Sequence, residues 1–421
     1  MNNTLSLEEK VFNKEVMELE TYIMFRLKEI TAKLAPELTA RNRKPIALSM
    51  GAPTANPPQY VIDKLTEYLS KPNVHTYSTP KGEKKFRDEI SIWMKRRFGV
   101  ELDAEKEIFS LIGSKEGIAN LIRFATTPKE NEFEKDIILC PDPGYASYSQ
   151  FVKTSGAKAI GIPLTPENNY MPNIEDVVND IVKQGYDKNK IKMIIINYPN
   201  NPLGVSATRE YIKSLVEYCK KEQILLVSDL AYSELYFKDE EKPFSVFEFD
   251  GAKDIAVEFF SFSKPYALTG WRLGWICGNS SIVQRFGKGK STIDNGIFKA
   301  LQFACADLMN APEGDAYIAQ SNLDYKNKQH IMIKGFKELG WPIDENKVPH
   351  TTFYLWLPIP PRYENAFKFC QDVLEKSGIV LVPGNAFGDQ GEGYFRLSIV
   401  CSEAELQEVI DRLKADGFYF N

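Results

Sequence analysis

The sequence has few histidines, no clustered cysteines, no long apolar segment and no excess of basic residues. Only three histidines occur among 421 residues, at His75, His330 and His350, and their wide separation excludes a HExxH zinc helix. The six cysteines form no CxxC pair, and several stand in apolar runs, so we expect them to be reduced core residues. We therefore expect no metal ion.

Charge and hydropathy exclude two further classes of protein. The formal net charge of -5 leaves no overall basic excess that would attract a nucleic-acid backbone. No apolar run approaches the length of a membrane span. We expect a cytoplasmic protein that acts on small molecules, with neither nucleic acid nor membrane as a partner.

Short apolar runs recur through the middle of the chain, at 136–140, 159–164, 192–197, 224–229, 255–261 and 273–277. Stretches with helical spacing separate several of them, as at 208–221, so strand and helix alternate as they do in a parallel α/β sheet. In such sheets, ligands bind beyond the carboxyl ends of the strands. The prediction is a large α/β domain with a mostly parallel sheet flanked by helices.

The pattern changes after Leu301 to that of a smaller α+β domain. A long polar helix is predicted at 317–339, followed by strands at 352–357, 379–382 and 394–399 and helices at 363–376 and 403–414. The N-terminal arm has a helical stretch at 16–34 and ends in a loop at 49–53. We expect an arm at 1–50 that joins the small domain or a subunit interface, a large domain at 51–300 and a small domain at 301–421.

One lysine follows a predicted strand closely. Lys264 comes after the run 255–261, with Ser261 and Ser263 before it and Arg272 behind it. Taken alone, a lysine is more often a solvated charge. Two hydroxyls and an arginine can bind a phosphate, however, and a desolvated lysine beside other cations becomes a usable nucleophile.

Two further segments stand at the ends of predicted strands. Asn201 belongs to the run NYPNNPLG at 197–204, and Asp229 and Tyr232 come at the end of the strand 224–229. By itself the first run is a turn signal, and an aspartate at such a position is often only a helix N-cap.

The asparagine, then the aspartate with its tyrosine, then the lysine with its arginine resemble in order and spacing the motifs of class I/II aminotransferases, which are fold type I enzymes. This resemblance runs from about Ile46 to the end of the chain. It implies that Lys264 holds pyridoxal 5'-phosphate as a Schiff base and carries the proton during transamination. It further implies that Asp229 keeps the pyridine nitrogen protonated while Asn201 and Tyr232 donate hydrogen bonds to the ring hydroxyl.

A phosphate site is predicted at the start of a helix. The segment GSKEG at 113–117 precedes a helical run at 118–126, so its backbone N–H groups are expected to face an anion. An ordinary Gly-Ser helix start has the same sequence pattern. Because its position ahead of the other motifs matches the family, we predict that the phosphate is held by Gly113, Ser114 and Lys115 through the backbone and by Ser261, Ser263 and Arg272.

The ring and the substrate have separate candidates. Tyr145 follows the strand 136–140, and in similar enzymes an aromatic residue at this point stacks on the cofactor ring; core packing is the alternative. Arg396 stands inside an apolar strand and needs an anionic partner, either a buried carboxylate of the chain or, as the resemblance implies, the α-carboxylate of the substrate. Gly51 and Asn201 are predicted to contact the same substrate, Gly51 through its backbone.

Within the family, the motifs at 113–118, 142–145, 352–356 and 391–396 most resemble those of diaminopimelate and aspartate aminotransferases. The loop after Tyr77 reads STPKG, where plant-type LL-diaminopimelate enzymes carry a glutamate. The expected reaction is a ping-pong transfer from LL-diaminopimelate or aspartate to a 2-oxo acid, with 2-oxoglutarate as the common partner. The alternatives are an alanine, methionine or aromatic aminotransferase, a C-S β-lyase that uses the same cofactor, and a cofactor-binding regulatory module.

The resemblance also implies a homodimer with shared active sites. In such a dimer Tyr77 of one chain would reach the cofactor phosphate held by the other chain. The alternative is a packed or surface tyrosine that acts within its own chain.

Overall fold

The computed structural model describes residues 6–19 and 23–421 of the chain. The helices of these residues are α1 (Leu7–Val11), α2 (Lys14–Met17), α3 (Ile23–Ala40), α4 (Gln59–Leu69), α5 (Lys84–Phe98), α6 (Ser114–Ala125), α7 (Ser147–Thr154), α8 (Ile174–Lys183), α9 (Arg209–Glu222), α10 (Ala252–Ile255), α11 (Ser280–Lys290), α12 (Lys299–Met309), α13 (Pro312–Glu338), α14 (Ala366–Ser377) and α15 (Glu403–Ala415). The strands are β1 (Ile46–Ala47), β2 (Ile108–Leu111), β3 (Ile137–Asp142), β4 (Lys158–Pro163), β5 (Ile191–Ile196), β6 (Leu225–Asp229), β7 (Ala256–Ser261), β8 (Gly274–Gly278), β9 (Tyr354–Pro358), β10 (Ile379–Val380), β11 (Val382–Pro383) and β12 (Tyr394–Ser398). None of these helices is both long enough and apolar enough to cross a bilayer.

A seven-stranded sheet forms the centre of the larger part of the molecule, in the order β2-β8-β7-β6-β5-β3-β4. All six predicted apolar runs are strands of this sheet, and β3 to β7 are mutually parallel. The run at 273–277 is the antiparallel strand β8. Its connection from β7 contains no crossover helix, which a parallel neighbour would need. The predicted fold class, a mostly parallel α/β sheet with a smaller α+β part, is confirmed.

The central sheet is buried on both faces, which is why its strands read as nearly continuous apolar runs. Successive side chains alternate between two cores: Ile194 and Leu226 enter the core on one face, while Ile195 and Val227 enter the core on the other. Each such fully buried aliphatic side chain stabilises the fold by roughly 1.5–3 kcal/mol. The sheet is therefore a rigid support for groups at its edges.

The C-terminal part contains the antiparallel sheet β11-β12-β9. Its core joins α13, α14 and α15 to the sheet through aromatic side chains, among them Phe336, Phe369 and Phe395. The single strand predicted at 379–382 is two strands, because β10 pairs with β1 and β11 pairs with β12. The long helix begins at Pro312, five residues before its predicted start, with the proline at the first helical position, where a missing N–H costs nothing.

The N-terminal segment packs against this C-terminal part. Leu38 of α3 is buried against Leu374 and Val380, and β1 extends alongside β10. The helical stretch predicted at 16–34 lies partly outside the described residues, at 20–22. Beyond that gap the helix begins at Ile23 and continues to Ala40.

Candidate active site

A cavity of about 410 Å³ opens at the carboxyl ends of the parallel strands, where β12 approaches the central sheet. Parallel strands end at one edge, so residues that follow β5, β6 and β7 converge here although they are far apart in sequence. Of the residues predicted for the site, all except Gly113 and Tyr77 line it: Gly51, Ser114, Lys115, Tyr145, Asn201, Asp229, Tyr232, Ser261, Ser263, Lys264, Arg272 and Arg396.

Lys264 lies three residues beyond the end of β7, with its ammonium group in the cavity. Its Nζ donates a hydrogen bond to the carbonyl oxygen of Gly51. Burial, and then the positive charge of Arg396, lower the pKa of Lys264 to about 8, against the opposing effect of the Asp229 carboxylate. A lysine with this pKa is partly neutral near physiological pH, so its nitrogen lone pair is available to attack a carbonyl carbon.

Asp229 is the last residue of β6 and is buried. Its Oδ2 accepts a hydrogen bond from the Tyr148 hydroxyl at 2.7 Å, while its Oδ1 is buried without a partner among the described residues. Burial raises the pKa of Asp229 to about 6, and the hydrogen bond from Tyr148 and the nearby backbone N–H of Ala231 limit that rise. A buried carboxylate oxygen without a donor is costly, by about 1–3 kcal/mol or more, so this oxygen is positioned for a donor from a bound molecule.

A chain of hydrogen bonds connects Asp229 to Arg396. The Asn197 side-chain amide donates to the backbone oxygen of Asp229 at 2.8 Å, and the backbone N–H of Asn201 donates to the Asn197 side-chain oxygen at 2.9 Å. Arg396 then donates through Nη1 to the side-chain oxygen of Asn201 at 2.8 Å. The loop at 197–204 therefore fixes the arginine of β12 relative to the aspartate of β6.

Arg396 is only 4% exposed. Its Nη2 donates to the backbone oxygen of Ser49 at 2.9 Å, and its guanidinium carbon lies 4.3 Å from the centroid of the Tyr354 ring. Its Nε is buried without a partner, and no carboxylate of residues 6–19 and 23–421 forms an ion pair with it. The acidic residues that the structure describes therefore leave the charge of Arg396 free for an anionic ligand.

Tyr232 and Tyr354 form a buried pair beside the lysine. Their hydroxyl oxygens are 3.0 Å apart, and the Lys264 Nζ lies 5.9 Å from the centroid of the Tyr232 ring. Burial raises the pKa of Tyr232 well above its usual value, and the neighbouring Tyr354 adds to this effect. The Tyr232 hydroxyl is therefore neutral at physiological pH and can donate a hydrogen bond.

Arg272 lines the opposite end of the cavity, and Gly113 lies against its guanidinium group. Gly113 has a φ of 102°, and a Cβ atom there would lie 2.6 Å from Nη2 of Arg272, so only glycine fits. Arg272 donates through Nη1 to the Thr269 carbonyl at 2.9 Å, with the Ser263 hydroxyl at 3.5 Å. These cationic and hydroxyl groups lie beside the N-terminus of α6, an arrangement that suits a phosphate.

Lys115 and Tyr145 are in contact at the side of the cavity. The Lys115 Nζ lies 5.8 Å from the centroid of the Tyr145 ring, so the side chain of Lys115, and not only its backbone, faces the site. Partial burial, and then the charge of Arg272, lower the pKa of Lys115. The Tyr145 ring also packs edge-on against Tyr148, with centroids 5.4 Å apart.

Tyr77 is 84% exposed and does not line the cavity of its own chain. The loop that follows it is held in place by Gln302, whose side-chain amide donates to the Ser78 hydroxyl at 3.0 Å and to the Ile297 carbonyl at 2.7 Å. The tyrosine therefore projects from a fixed loop into solvent, and the expected contact with a second chain stays a prediction.

Six residues that line the cavity were missed by sequence reasoning: Ala52, Tyr148, Asn197, Ala231, Thr269 and Tyr354. Tyr148 stands three residues after Tyr145, at the second position of α7. Asn197 opens the run that contains Asn201. Tyr354 belongs to the motif at 352–356, which entered the analysis only as a sign of family.

A larger cavity, of about 690 Å³, lies behind the 197–204 loop. Tyr170, Tyr198 and Phe244 form part of its wall, and its Arg209 is paired with Glu248 outside it. None of the predicted site residues lines this cavity, so the smaller cavity is the one equipped for chemistry. Among the described residues, no group of three or more His, Cys, Asp or Glu side chains is arranged to hold a metal ion.

Residues 43–413 match the family model of aminotransferase class I and II. The chain belongs to this family of pyridoxal-phosphate-dependent enzymes, and the resemblance inferred from its motifs is confirmed. The chain is 38% identical to the LL-diaminopimelate aminotransferase of Halothermothrix orenii, over 89% of this chain and 92% of the relative. It is 36% identical to the LL-diaminopimelate aminotransferase of Moorella thermoacetica, over 95% and 97%. Substrate-bound BacF from Bacillus subtilis superimposes with a TM-score of 0.88 at 28% identity, over 98% and 99%.

The residues of the smaller cavity fit pyridoxal 5'-phosphate. The unpartnered Oδ1 of Asp229 matches a protonated ring nitrogen, and the partly neutral Lys264 matches the aldehyde. Among the described residues, the lining carries one carboxylate, that of Asp229, and four cationic side chains, those of Lys115, Lys264, Arg272 and Arg396. This excess of positive charge favours the binding of a phosphate together with a substrate carboxylate.

Proposed function

We propose that this aminotransferase moves an amino group from LL-diaminopimelate to 2-oxoglutarate in a ping-pong cycle that contributes to lysine biosynthesis. The observation that carries the reaction type is the buried arrangement of Lys264, Asp229 and Arg396 around one cavity. The choice of donor is supported by the two curated relatives, which are both LL-diaminopimelate aminotransferases and align over nearly their whole length. Aspartate is the second choice of donor.

The roles proposed for the ring-binding residues follow from their protonation states. Bound pyridoxal phosphate supplies an electron sink that stabilises negative charge at the α-carbon of the substrate. Lys264 holds the cofactor and then moves the α-proton through Nζ, for which a pKa near neutrality is suited. Asp229 Oδ1 holds the proton on the ring nitrogen, and the neutral Asn201 and Tyr232 donate hydrogen bonds to the ring oxygen.

The remaining residues position the two anionic groups and the ring. Arg396 binds the α-carboxylate of the substrate with Gly51 and Asn201 beside it, and Tyr145 stacks on the ring. The phosphate is held by six residues at the other end of the cavity, where a helix N-terminus, hydroxyls and a guanidinium group meet: Gly113, Ser114, Lys115, Ser261, Ser263 and Arg272.

We further propose a cytoplasmic homodimer in which Tyr77 reaches the phosphate bound by the partner subunit. Support comes from exposed apolar side chains near the motifs concerned: Ile112, next to the phosphate-binding segment, is 41% exposed, and Phe298, which stacks on His75, is 44% exposed. Burying such side chains is a driving force for association. The proposed division of the chain is an arm at 1–50, a cofactor-binding domain at 51–300 and a small domain at 301–421.

A donor screen tests the substrate. The enzyme loaded with cofactor is incubated with 2-oxoglutarate and one donor at a time, and glutamate formation gives kcat/KM for LL-diaminopimelate, aspartate, alanine, methionine and phenylalanine. We expect LL-diaminopimelate to exceed aspartate by on the order of 100-fold, because contacts made to its distal end are left unpaired by the shorter donor. A higher value for another donor would contradict the substrate, and release of ammonia and a thiol from a cysteine conjugate would indicate a β-lyase.

The catalytic lysine is tested in the same preparation. Borohydride reduction of the loaded enzyme, followed by peptide mass analysis, is expected to find the cofactor attached to Lys264. Attachment to any other lysine would contradict its role. The variant Lys264→Ala serves as the control, since it retains the phosphate and ring contacts but should give no turnover and no attachment.

A further inference from the structure

Tyr148 is a buried tyrosine of α7 that the reaction outlined above does not use. It is 1% exposed, and its hydroxyl donates to Oδ2 of Asp229 at 2.7 Å. Within the described chain, this is the one side-chain hydrogen bond that the Asp229 carboxylate receives.

The hydrogen bond distinguishes the two oxygens of the carboxylate. Oδ2 is occupied by Tyr148, and Oδ1 is buried without a partner in a residue that lines the cavity. We propose that Tyr148 is a positioning residue, which turns the Asp229 carboxylate so that Oδ1 alone faces the ring nitrogen of the bound cofactor. This inference rests on the proposed role of Asp229 and extends it to a residue on a different element.

A second contact joins Tyr148 to Tyr145, which also lines the cavity. Its ring packs edge-on against that of Tyr145, with centroids 5.4 Å apart and an interplanar angle of 85°. Tyr145 is the side chain proposed to stack on the cofactor ring. Tyr148 therefore contacts both Tyr145, proposed to cover the cofactor ring, and Asp229, proposed to bind the cofactor nitrogen. The aromatic ring and the hydroxyl of Tyr148 can be tested separately.

A tyrosine hydroxyl suits this position because it donates without adding charge. Burial, and then the adjacent Asp229, raise the pKa of Tyr148 well above its usual value, so the hydroxyl remains a neutral donor. The other titratable groups that act on Asp229 are Lys264, Tyr145 and Tyr232. Lys264 is the only cation among them, and it stabilises the carboxylate by its charge, whereas Tyr148 stabilises it by a hydrogen bond.

The test is the affinity of the enzyme without cofactor for pyridoxal phosphate, measured across pH 5–8 by equilibrium dialysis. Tyr148→Phe keeps the ring contact with Tyr145 and removes only the hydroxyl. We expect roughly tenfold weaker binding at pH 7, in line with losing one hydrogen bond to a buried charge. The pH at which affinity falls by half should rise by roughly one unit, because a carboxylate that has lost a donor is protonated more easily.

A matched control is available elsewhere in the chain. Tyr68 donates to Asp307 at 2.8 Å, the same pair of groups, and neither residue lines the cavity. Tyr68→Phe should leave both the affinity and its pH midpoint unchanged. Since the phosphate of the ligand also titrates near pH 6, only differences between variant and parent enzyme are compared.

Two further variants separate the possible outcomes. Asp229→Asn should bind the cofactor more weakly than Tyr148→Phe does; if it binds as tightly as the parent, the proposed role of Asp229 fails. If Asp229→Asn is impaired but Tyr148→Phe behaves as the parent enzyme, only the positioning role of Tyr148 is refuted. Tyr148→His, which can donate through a ring nitrogen, should recover part of the affinity and shift the midpoint back. Equal losses in Tyr148→Phe and Tyr68→Phe would also overturn the proposal.

Discussion

Replacing Lys264 by methionine should stabilise the enzyme without cofactor while abolishing turnover. The lysine is held in a cavity where burial and the charge of Arg396 disfavour its ammonium form, and the Asp229 carboxylate compensates only in part. Methionine has a similar length and no charge, so the substitution removes the unfavourable electrostatics and keeps most of the packing. The effect is an example of stability given up for reactivity at an active site.

The magnitude follows from the pKa of the lysine. Its pKa falls from 10.5 to about 8 on folding, and this difference corresponds to about 3 kcal/mol at the usual 1.36 kcal/mol per pH unit. Well below pH 8 the lysine is charged in both the folded and the unfolded chain, so the full cost is present. Between pH 8 and 10.5 the unfolded chain binds more protons, so the parent enzyme gains stability as the pH rises and the cost disappears above that range.

The assay is urea unfolding of the two proteins without cofactor at pH 7.0, 8.5 and 10, at one protein concentration because the stability of the proposed dimer would depend on it. We expect Lys264→Met to be more stable than the parent by about 2–3 kcal/mol at pH 7, allowing for the lost hydrogen bond to Gly51. The gap should narrow at each higher pH. An absent gap at pH 7, or one that grows with pH, would refute the account of Lys264.

Lys290 provides the control with the opposite sign. It is 0% exposed, but its ammonium group is paired with Glu116 at 2.9 Å and with Asp294 at 2.5 Å. Lys290→Met leaves two carboxylates without their cation, so it should destabilise the protein by about 3–5 kcal/mol. The two buried lysines should therefore respond in opposite directions to the same substitution.

Two predictions concern the substrate carboxylate and the partner subunit. Arg396→Lys should lower kcat/KM for an amino-acid donor by roughly 100-fold or more, because a lysine cannot replace the bidentate contact, and should have little effect on an amine that lacks the carboxylate. The control variant is Arg412→Lys, at a buried arginine that is paired with Glu408. Equal losses on both substrates would contradict the assignment of Arg396. Mixing the inactive variants Lys264→Ala and Tyr77→Ala should restore activity once their subunits exchange. A mixed dimer with shared sites has one site with both substitutions and one site with neither. No recovery of activity after demonstrated exchange would mean that Tyr77 acts within its own chain.

Residues near the ends of buried strands were the part of the site open to prediction from sequence. Asn201, Asp229 and Lys264 each stand at or soon after the end of an apolar run, and parallel strands bring those ends to one edge of the sheet. Their individual roles remain predictions. The role of Tyr148 could not be predicted, because its partner Asp229 lies 81 residues away in sequence and a helical tyrosine beside apolar residues is usually part of a core.

The parts of the fold that could not be predicted from the sequence have similar causes. The direction of β8 depends on the absence of a helix between it and β7, which apolar content alone does not reveal. The strands β1 and β10 have two residues each, too few for an alternating pattern, and they exist because the N-terminal segment packs beside α14. Long periodic segments such as 208–221 were within reach because periodicity fixes a helix without knowledge of its neighbours.

The hydrogen-bond chain from Arg396 through Asn201 and Asn197 to the backbone of Asp229 bears on attempts to redesign the donor preference. A substitution at any one of these positions disturbs both the Arg396 end and the Asp229 end of the cavity, so we expect changes of selectivity and losses of catalysis to occur together. Ala52 lines the cavity but takes no part in this chain of hydrogen bonds. A library that varies Ala52 and leaves the asparagines untouched can alter the shape available to a donor side chain while keeping the reactive geometry intact.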